Sequence, residues 1–237
     1  MEPTSFFNPS LCREMAGLCA RAYREESLQT DLAHALVSWA PDRSRVVVAF
    51  RGSAAALDWF LNIDALFVEQ PFGRLHGGFW PCAHSIVDQI AVLDQRVDKA
   101  DLYITGHSKG GAVALIVAQL LALQGWVARG VYVFGCPRVG DGGWRASYLA
   151  QEALAANTWR VTNQQDIVAR LPSWVHGYRH VGSEVFVPAI GGARIRPPLW
   201  FKIVSDLAGT YREWTQGRIA QAADHPMQRY LDAVGKL

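Results

Sequence analysis

Five residues in the middle of the chain, Gly106-His107-Ser108-Lys109-Gly110, have the types and spacing that could make a serine a nucleophile. A serine held on a very tight turn needs nearly side-chain-free residues two positions before and after it, and Gly106 and Gly110 supply them. Such a turn pushes the hydroxyl out into a cleft. If a helix starts there, its first backbone N–H groups, beginning with that of Lys109, point to where negative charge would gather on an attacked carbonyl oxygen. One short segment thus offers a nucleophile and half of an oxyanion hole.

The flanking residues fit a strand, a sharp turn and a helix. Leu102 to Thr105 reads as a short apolar strand, and Ala112 to Leu123 as a helix without proline and with almost no polar residue. A helix apolar all round belongs inside a protein, packed on a sheet. Elsewhere the pattern predicts helices over Leu11 to Tyr23, Phe79 to Val97, Trp144 to Leu154 and most of Leu199 to Val234. Strands are predicted over Ala33 to Ala40, Arg45 to Phe50, Gly130 to Gly135, Thr158 to Asn163 and Glu184 to Val187. The second of these, RVVVAF, is apolar throughout, as a strand covered on both faces must be. Alternating strands and helices imply an α/β fold with a parallel or mixed sheet and helices on both faces.

A nucleophilic serine needs a base, and the base needs an orienting acid. In the α/β-hydrolase order the acid and then the histidine follow the serine. Asp166 is the best placed acid, in the loop just beyond the predicted strand Thr158 to Asn163, at a carboxyl end where such sites lie. Three histidines follow Ser108: His176, His180 and His225. His176 and His180 are near Asp166 in sequence and read as structural. His225 lies between two helical stretches near the C-terminus. His107 should point to the other side of the turn from Ser108 and serve packing.

Bulk properties narrow the class. A chain of 237 residues can bury about 70–75% of its unfolded surface around one core. Without a linker-like or highly charged stretch, 1–237 reads as one domain. A net charge of only +2 provides no dense basic face, which argues against nucleic acid as a partner. Cys12, Cys19, Cys82 and Cys136 lack metal-like spacing. The N-terminal residues carry no apolar stretch of signal-peptide length, and no run of eighteen uncharged apolar residues occurs. A cytoplasmic protein with reduced thiols is expected, although a leaderless export route would leave no mark in the sequence.

Several further motifs, in order, resemble those of the class 3 lipases, the family of fungal triacylglycerol lipases with bacterial and plant relatives. VVVAFRGS resembles its oxyanion strand, LHGGFW its H-x-G-F segment, TGHSKGGAVA its elbow and VFGCPRVGD its Gly-x-Pro-Arg-Val-Gly segment. NQQDIVARLP is similar to the acid loop and DHPMQRY to the histidine segment. The resemblance implies an α/β-hydrolase fold with a mostly parallel sheet and a short lid. It makes Ser108 the nucleophile, Asp166 the acid and His225 the base, with Ser53 and the Lys109 N–H as oxyanion donors. Ala54 to Leu61 falls at the lid, with Leu57, Trp59, Phe60 and Leu61 facing lipid or substrate. His76 and His180 fall on structural histidines.

Two positions depart from the family pattern. Lys109 stands where leucine is usual; it could attract a phosphate or carboxylate, or turn aside to pair with Asp58 or Asp64. Asn62 stands where an aspartate often anchors the oxyanion serine. The expected reaction is ester hydrolysis through an acyl-enzyme, with no metal or organic cofactor. The substrate would be an acylglycerol or similar lipid ester; phospholipase A action and a non-catalytic lipid-binding role are the alternatives. Nine tryptophans, ten phenylalanines and the basic-aromatic run Arg194 to Val204 favour an apolar acyl chain and transient contact with a lipid surface. A run of that composition is more often packed in a core than exposed.

Overall fold

The computed structural model describes residues 6–53, 66–95, 101–164, 166–188, 191–205 and 225–237. Strands β1 (Leu28–Gln29), β2 (His34–Trp39), β3 (Arg45–Phe50), β6 (Asp101–His107), β7 (Gly130–Phe134), β8 (Thr158–Asn163), β9 (Ser183–Val187) and β10 (Arg194–Ile195) form one sheet in the order β1-β2-β3-β6-β7-β8-β9-β10. From β3 to β9 neighbouring strands are parallel, and both edges are antiparallel. Strands β4 (Phe67–Gln70) and β5 (Gly73–His76) make a separate hairpin. The helices are α1 (Pro9–Arg21), α2 (Trp80–Gln95), α3 (Lys109–Leu123), α4 (Gly142–Ala150), α5 (Glu152–Ala156) and α6 (Met227–Val234), with a further helical run at 199–205.

Side chains alternate across the pleat and fill two cores. Val48, Phe50, Ile104, Val131 and Val133 face α2 and α3, together with Trp144 and Tyr148 of α4. Val47, Ala49, Tyr132, Phe134, Val161 and Val185 face the other way, onto α1 and α6. Because both faces are covered, RVVVAF carries no polar face, and every residue of β3 beyond Arg45 is buried. Helix α3 is buried nearly all round, as its composition requires. The four cysteines are free thiols inside these cores.

The predicted strands are present, with bounds shifted by a residue or two at several ends. The region Trp144 to Leu154 divides in two: Asp141 caps α4 by accepting from the Trp144 N–H at 2.9 Å, and Gln151, at φ −83° and ψ 73°, breaks the helical path before α5. Of the predicted helical stretch Leu199 to Val234, residues 199–205 are helical and a helix begins at Met227 after Pro226, while 206–224 lie outside the described residues. Pairs β1 and β10 are two residues long, too short for a periodicity, and the β4–β5 hairpin turns through Gly73 at φ +116°. The run Arg194 to Val204 is not packed as its composition suggested. Phe201 sits edge-on to Phe186, but Ile195, Leu199, Trp200, Ile203 and Val204 are exposed, Leu199 at 72% and Trp200 at 62%. The segment Ala54 to Leu61 expected to form the lid, with Leu57, Trp59, Phe60 and Leu61, lies outside the described residues, as do Asp58, Asn62 and Asp64.

Candidate active site

Ser108 sits between the end of β6 and the start of α3 at φ 58° and ψ −128°. That conformation is rare for a non-glycine residue and costs about 1–3 kcal/mol, offset by the packing around it. The two glycines are required by space. A Cβ on Gly106 would run into the Gly110 carbonyl, and one on Gly110 into the Phe50 carbonyl. The turn is closed by the Ser108 N–H donating to the Phe134 carbonyl at 2.9 Å and by Gly111 N–H donating to the Ser108 carbonyl at 3.0 Å.

His225 reaches the serine from just before α6. Its Nε2 accepts from Ser108 Oγ at 3.0 Å, and its Nδ1–H donates to both Asp166 oxygens, at 3.1 and 3.0 Å. Asp166 follows β8 across a turn in which Gln164 adopts φ 42°. The carboxylate also accepts from the Val168 N–H at 2.9 Å and from the Tyr230 hydroxyl at 2.6 Å. Tyr230 accepts in turn from the Asn163 N–H, so α6 and the end of β8 brace the acid from two sides. Gly135, at φ +54°, lies against it, where a Cβ would come within 2.8 Å of Oδ2. Ser108 and Asp166 are fully buried and His225 is 8% exposed. A buried carboxylate that accepts from this many donors is held in one orientation, and through the Nδ1–H bond it fixes the tautomer of the histidine.

Ser53 and Lys109 line one cleft of about 420 Å³ together with Asp31, Leu32, His34, Arg51 and Val113. Lys109 is the first residue of α3, so its amide is a first-turn donor beside Ser108. Its side chain turns toward the segment before β2, with Nζ 3.4 Å from the Leu32 carbonyl.

The remaining histidines sort by environment. His176 is exposed on a 3-10 turn, away from the triad contacts. His180 donates from Nε2 to the Ala169 carbonyl at 2.9 Å and so ties down the loop after Asp166. His76 accepts from the Gly78 N–H, stacks on Phe79, and is pushed down to about 4 by burial. His107 does not turn away to inert packing. Its ring stacks on His225 with centroids 4.8 Å apart, and its Nε2–H donates to the His225 carbonyl at 2.9 Å. Sequence reading missed His107, Tyr23 and Tyr230 as parts of the site. DHPMQRY did contain Tyr230, five residues after the histidine, which one helical turn and a cap bring back onto Asp166.

A family model described as "Lipase (class 3)" matches residues 47–176. The chain is 31% identical over 161 residues to the secreted mono- and diacylglycerol lipase A of Penicillium cyclopium, covering 64% of this chain and 51% of that protein. It is 28% identical over 188 residues to phospholipase A1-II 4 of Oryza sativa subsp. japonica, covering 66% and 46%. The solved structure of Rhizomucor miehei triacylglyceride lipase superposes with a TM-score of 0.66 at 23% identity, over 75% of this chain and 79% of that one. The chain spans about half the length of the curated relatives it matches. The cytoplasmic location expected from the N-terminal residues and thiols is corrected here, because relatives from Penicillium and Fusarium are named as secreted proteins.

Proposed function

The chain belongs to the class 3 lipase family, and from that premise we propose that it is a serine carboxylic-ester hydrolase that cleaves acylglycerols or similar lipid esters through an acyl-enzyme on Ser108. The observation that carries this reading is His225 bridging Ser108 Oγ and Asp166 with all three side chains buried. His225 Nε2 removes the serine proton as Oγ attacks the ester carbonyl, and Asp166 stabilises the imidazolium without taking its proton. Ser53 and the Lys109 N–H hold the oxyanion. His225 then protonates the leaving alcohol, and water repeats the sequence in reverse to free the acid. One sheet carrying strands from residue 28 to residue 195, with α1 and α6 in the same core, supports a single α/β-hydrolase domain over 1–237. A complete triad argues against a non-catalytic lipid-binding role.

A fluorophosphonate probe tests the assignment directly. Wild type should label at Ser108 and hydrolyse p-nitrophenyl esters, and Ser108→Ala should do neither while keeping its circular dichroism spectrum. Labelling at another residue, or hydrolysis by the variant, would refute it.

Contact with a lipid surface is supported by the helical run at 199–205. Leu199, Trp200, Ile203 and Val204 recur at one-turn spacing on its outward side, while Phe201 packs on Phe186 and Lys202 pairs with Glu184 at 2.8 Å. Exposed Arg194 and Arg196 flank Ile195 beside it. Basic residues around an apolar face suit an anionic interface. Trp200→Ser should weaken sedimentation with anionic vesicles and slow hydrolysis of emulsified triglyceride, with little change on a dissolved ester. Equal vesicle binding would remove this contact. A phospholipase A reading is favoured by one feature, the placement of Lys109 and Arg51 in the cleft with Ser53.

A further inference from the structure

The triad is not the whole set of bonds that ends on His225. A second buried line runs into its backbone. Tyr23 Oη lies hard against Gly52 and 2.8 Å from His107 Nδ1, and His107 Nε2 lies 2.9 Å from the His225 carbonyl. Every proton in this line has one possible position. A carbonyl can only accept, so His107 carries its hydrogen on Nε2. Nδ1 is then bare and must accept from the Tyr23 hydroxyl.

We propose that His107 is a positioning residue for the general base, and that Tyr23 holds it in the required tautomer and ties it to the end of the oxyanion strand at Gly52. The inference rests on the reading of His225 as the base.

Three features make the His107 bond matter. His225 precedes α6, and its neighbour Pro226 has no N–H, so no regular ladder fixes the backbone that carries the imidazole. His107 is anchored at the end of β6, opposite Phe134 of β7, and the next residue is Ser108. The strand that places the nucleophile therefore also places the base, and the Ser108 to His225 distance is set through one rigid segment. The other end of the line touches Gly52, next to Ser53, so the oxyanion donor and the base share a support. A Cβ on Gly52 would collide with the Tyr23 hydroxyl, which keeps that approach open to glycine alone.

His107 must also remain neutral, since its ring stacks at 27° on an imidazole that becomes cationic during turnover. Full burial, helped by the neighbouring His225, pushes His107 down to about 3. It thus presents an uncharged face to the His225 imidazolium across the working pH range.

Kinetics on a dissolved p-nitrophenyl ester separate positioning from mere packing. His107→Phe keeps a flat ring for the stack but has no donor for the His225 carbonyl, whereas His107→Gln keeps an N–H at nearly the same reach. The expected result for His107→Phe is a fall in kcat of about 100-fold with KM unchanged, because a base displaced by an ångström loses that much. The fluorophosphonate labelling rate should fall in parallel, and His107→Gln should recover most of both. Tyr23→Phe, which removes one oxygen, should lower kcat about 10-fold. Wild-type kcat in His107→Phe, or no advantage of His107→Gln over it, would overturn the proposal. If His107→Phe does not fold, Tyr23→Phe decides, and an unchanged kcat there overturns it. His225→Ala is assayed beside them. Its inactivity together with a fully active His107→Phe removes only the positioning role, whereas its activity would remove the base assignment and the proposal together.

Discussion

Ser108, Asp166 and His225 are at most 8% exposed and joined by hydrogen bonds of 3.0–3.1 Å, whereas the cleft lined by Ser53 and Lys109 is edged by the exposed residues Asp31, Leu32 and Arg51. On the first side each polar atom has a partner inside the protein, because an unpaired polar group there would cost about 1–3 kcal/mol. On the second side the charged groups keep water, and pairs such as His34 with Glu26, 2.7 Å apart, lie near the surface. In the proposed reaction, proton transfer belongs to a dry region where geometry is over-determined. Reception of the substrate would then fall to a wet one, where single side chains can change without disturbing the chemistry.

The sharpest way to break this contrast compares a buried with an exposed histidine after Asp166. His225→Ala should cost on the order of 10⁶ in kcat, and His176→Ala should leave kcat near wild type, both read by ester hydrolysis. An essential His176 would mean that the base has been misassigned. A middle effect is expected where the two regions meet. Ser53→Ala should lower kcat by about 10²–10³ with little change in KM, since a side-chain oxyanion donor acts on the transition state. An unchanged kcat would hand that role to the backbone alone. The smallest effect belongs to the wet side. Lys109→Leu should change hydrolysis of a neutral ester by at most about 5-fold, as befits a part-exposed charge, and should reduce the salt dependence of any activity on anionic phospholipid. Equal losses on neutral and anionic substrates would show that the ammonium takes no part in head-group choice.

By itself the sequence determined most of the long elements and the tight turn that carries Ser108. RVVVAF, GVYVFG and the apolar stretch after Gly110 could be nothing but strands and a helix covered on all sides, since apolar period and burial are linked through the pleat and the helical turn. Gly106 and Gly110 identified the elbow because their spacing reflects a local steric demand. Asp166 was reached through its place at a strand's end, and His225 through family likeness. Tertiary structure alone decided what crosses between elements. Tyr230 on Asp166, Tyr23 on His107 and His107 on His225 join residues 64, 84 and 118 positions apart, and no local pattern encodes a contact at such separations. The run from Arg194 to Val204 marks the same boundary from the other direction. Its composition is that of a core, yet one side of its helical turn packs on Phe186 and Glu184 while the other stays in solvent. Which side turns inward depends on where β9 lies, and that is a property of the folded sheet.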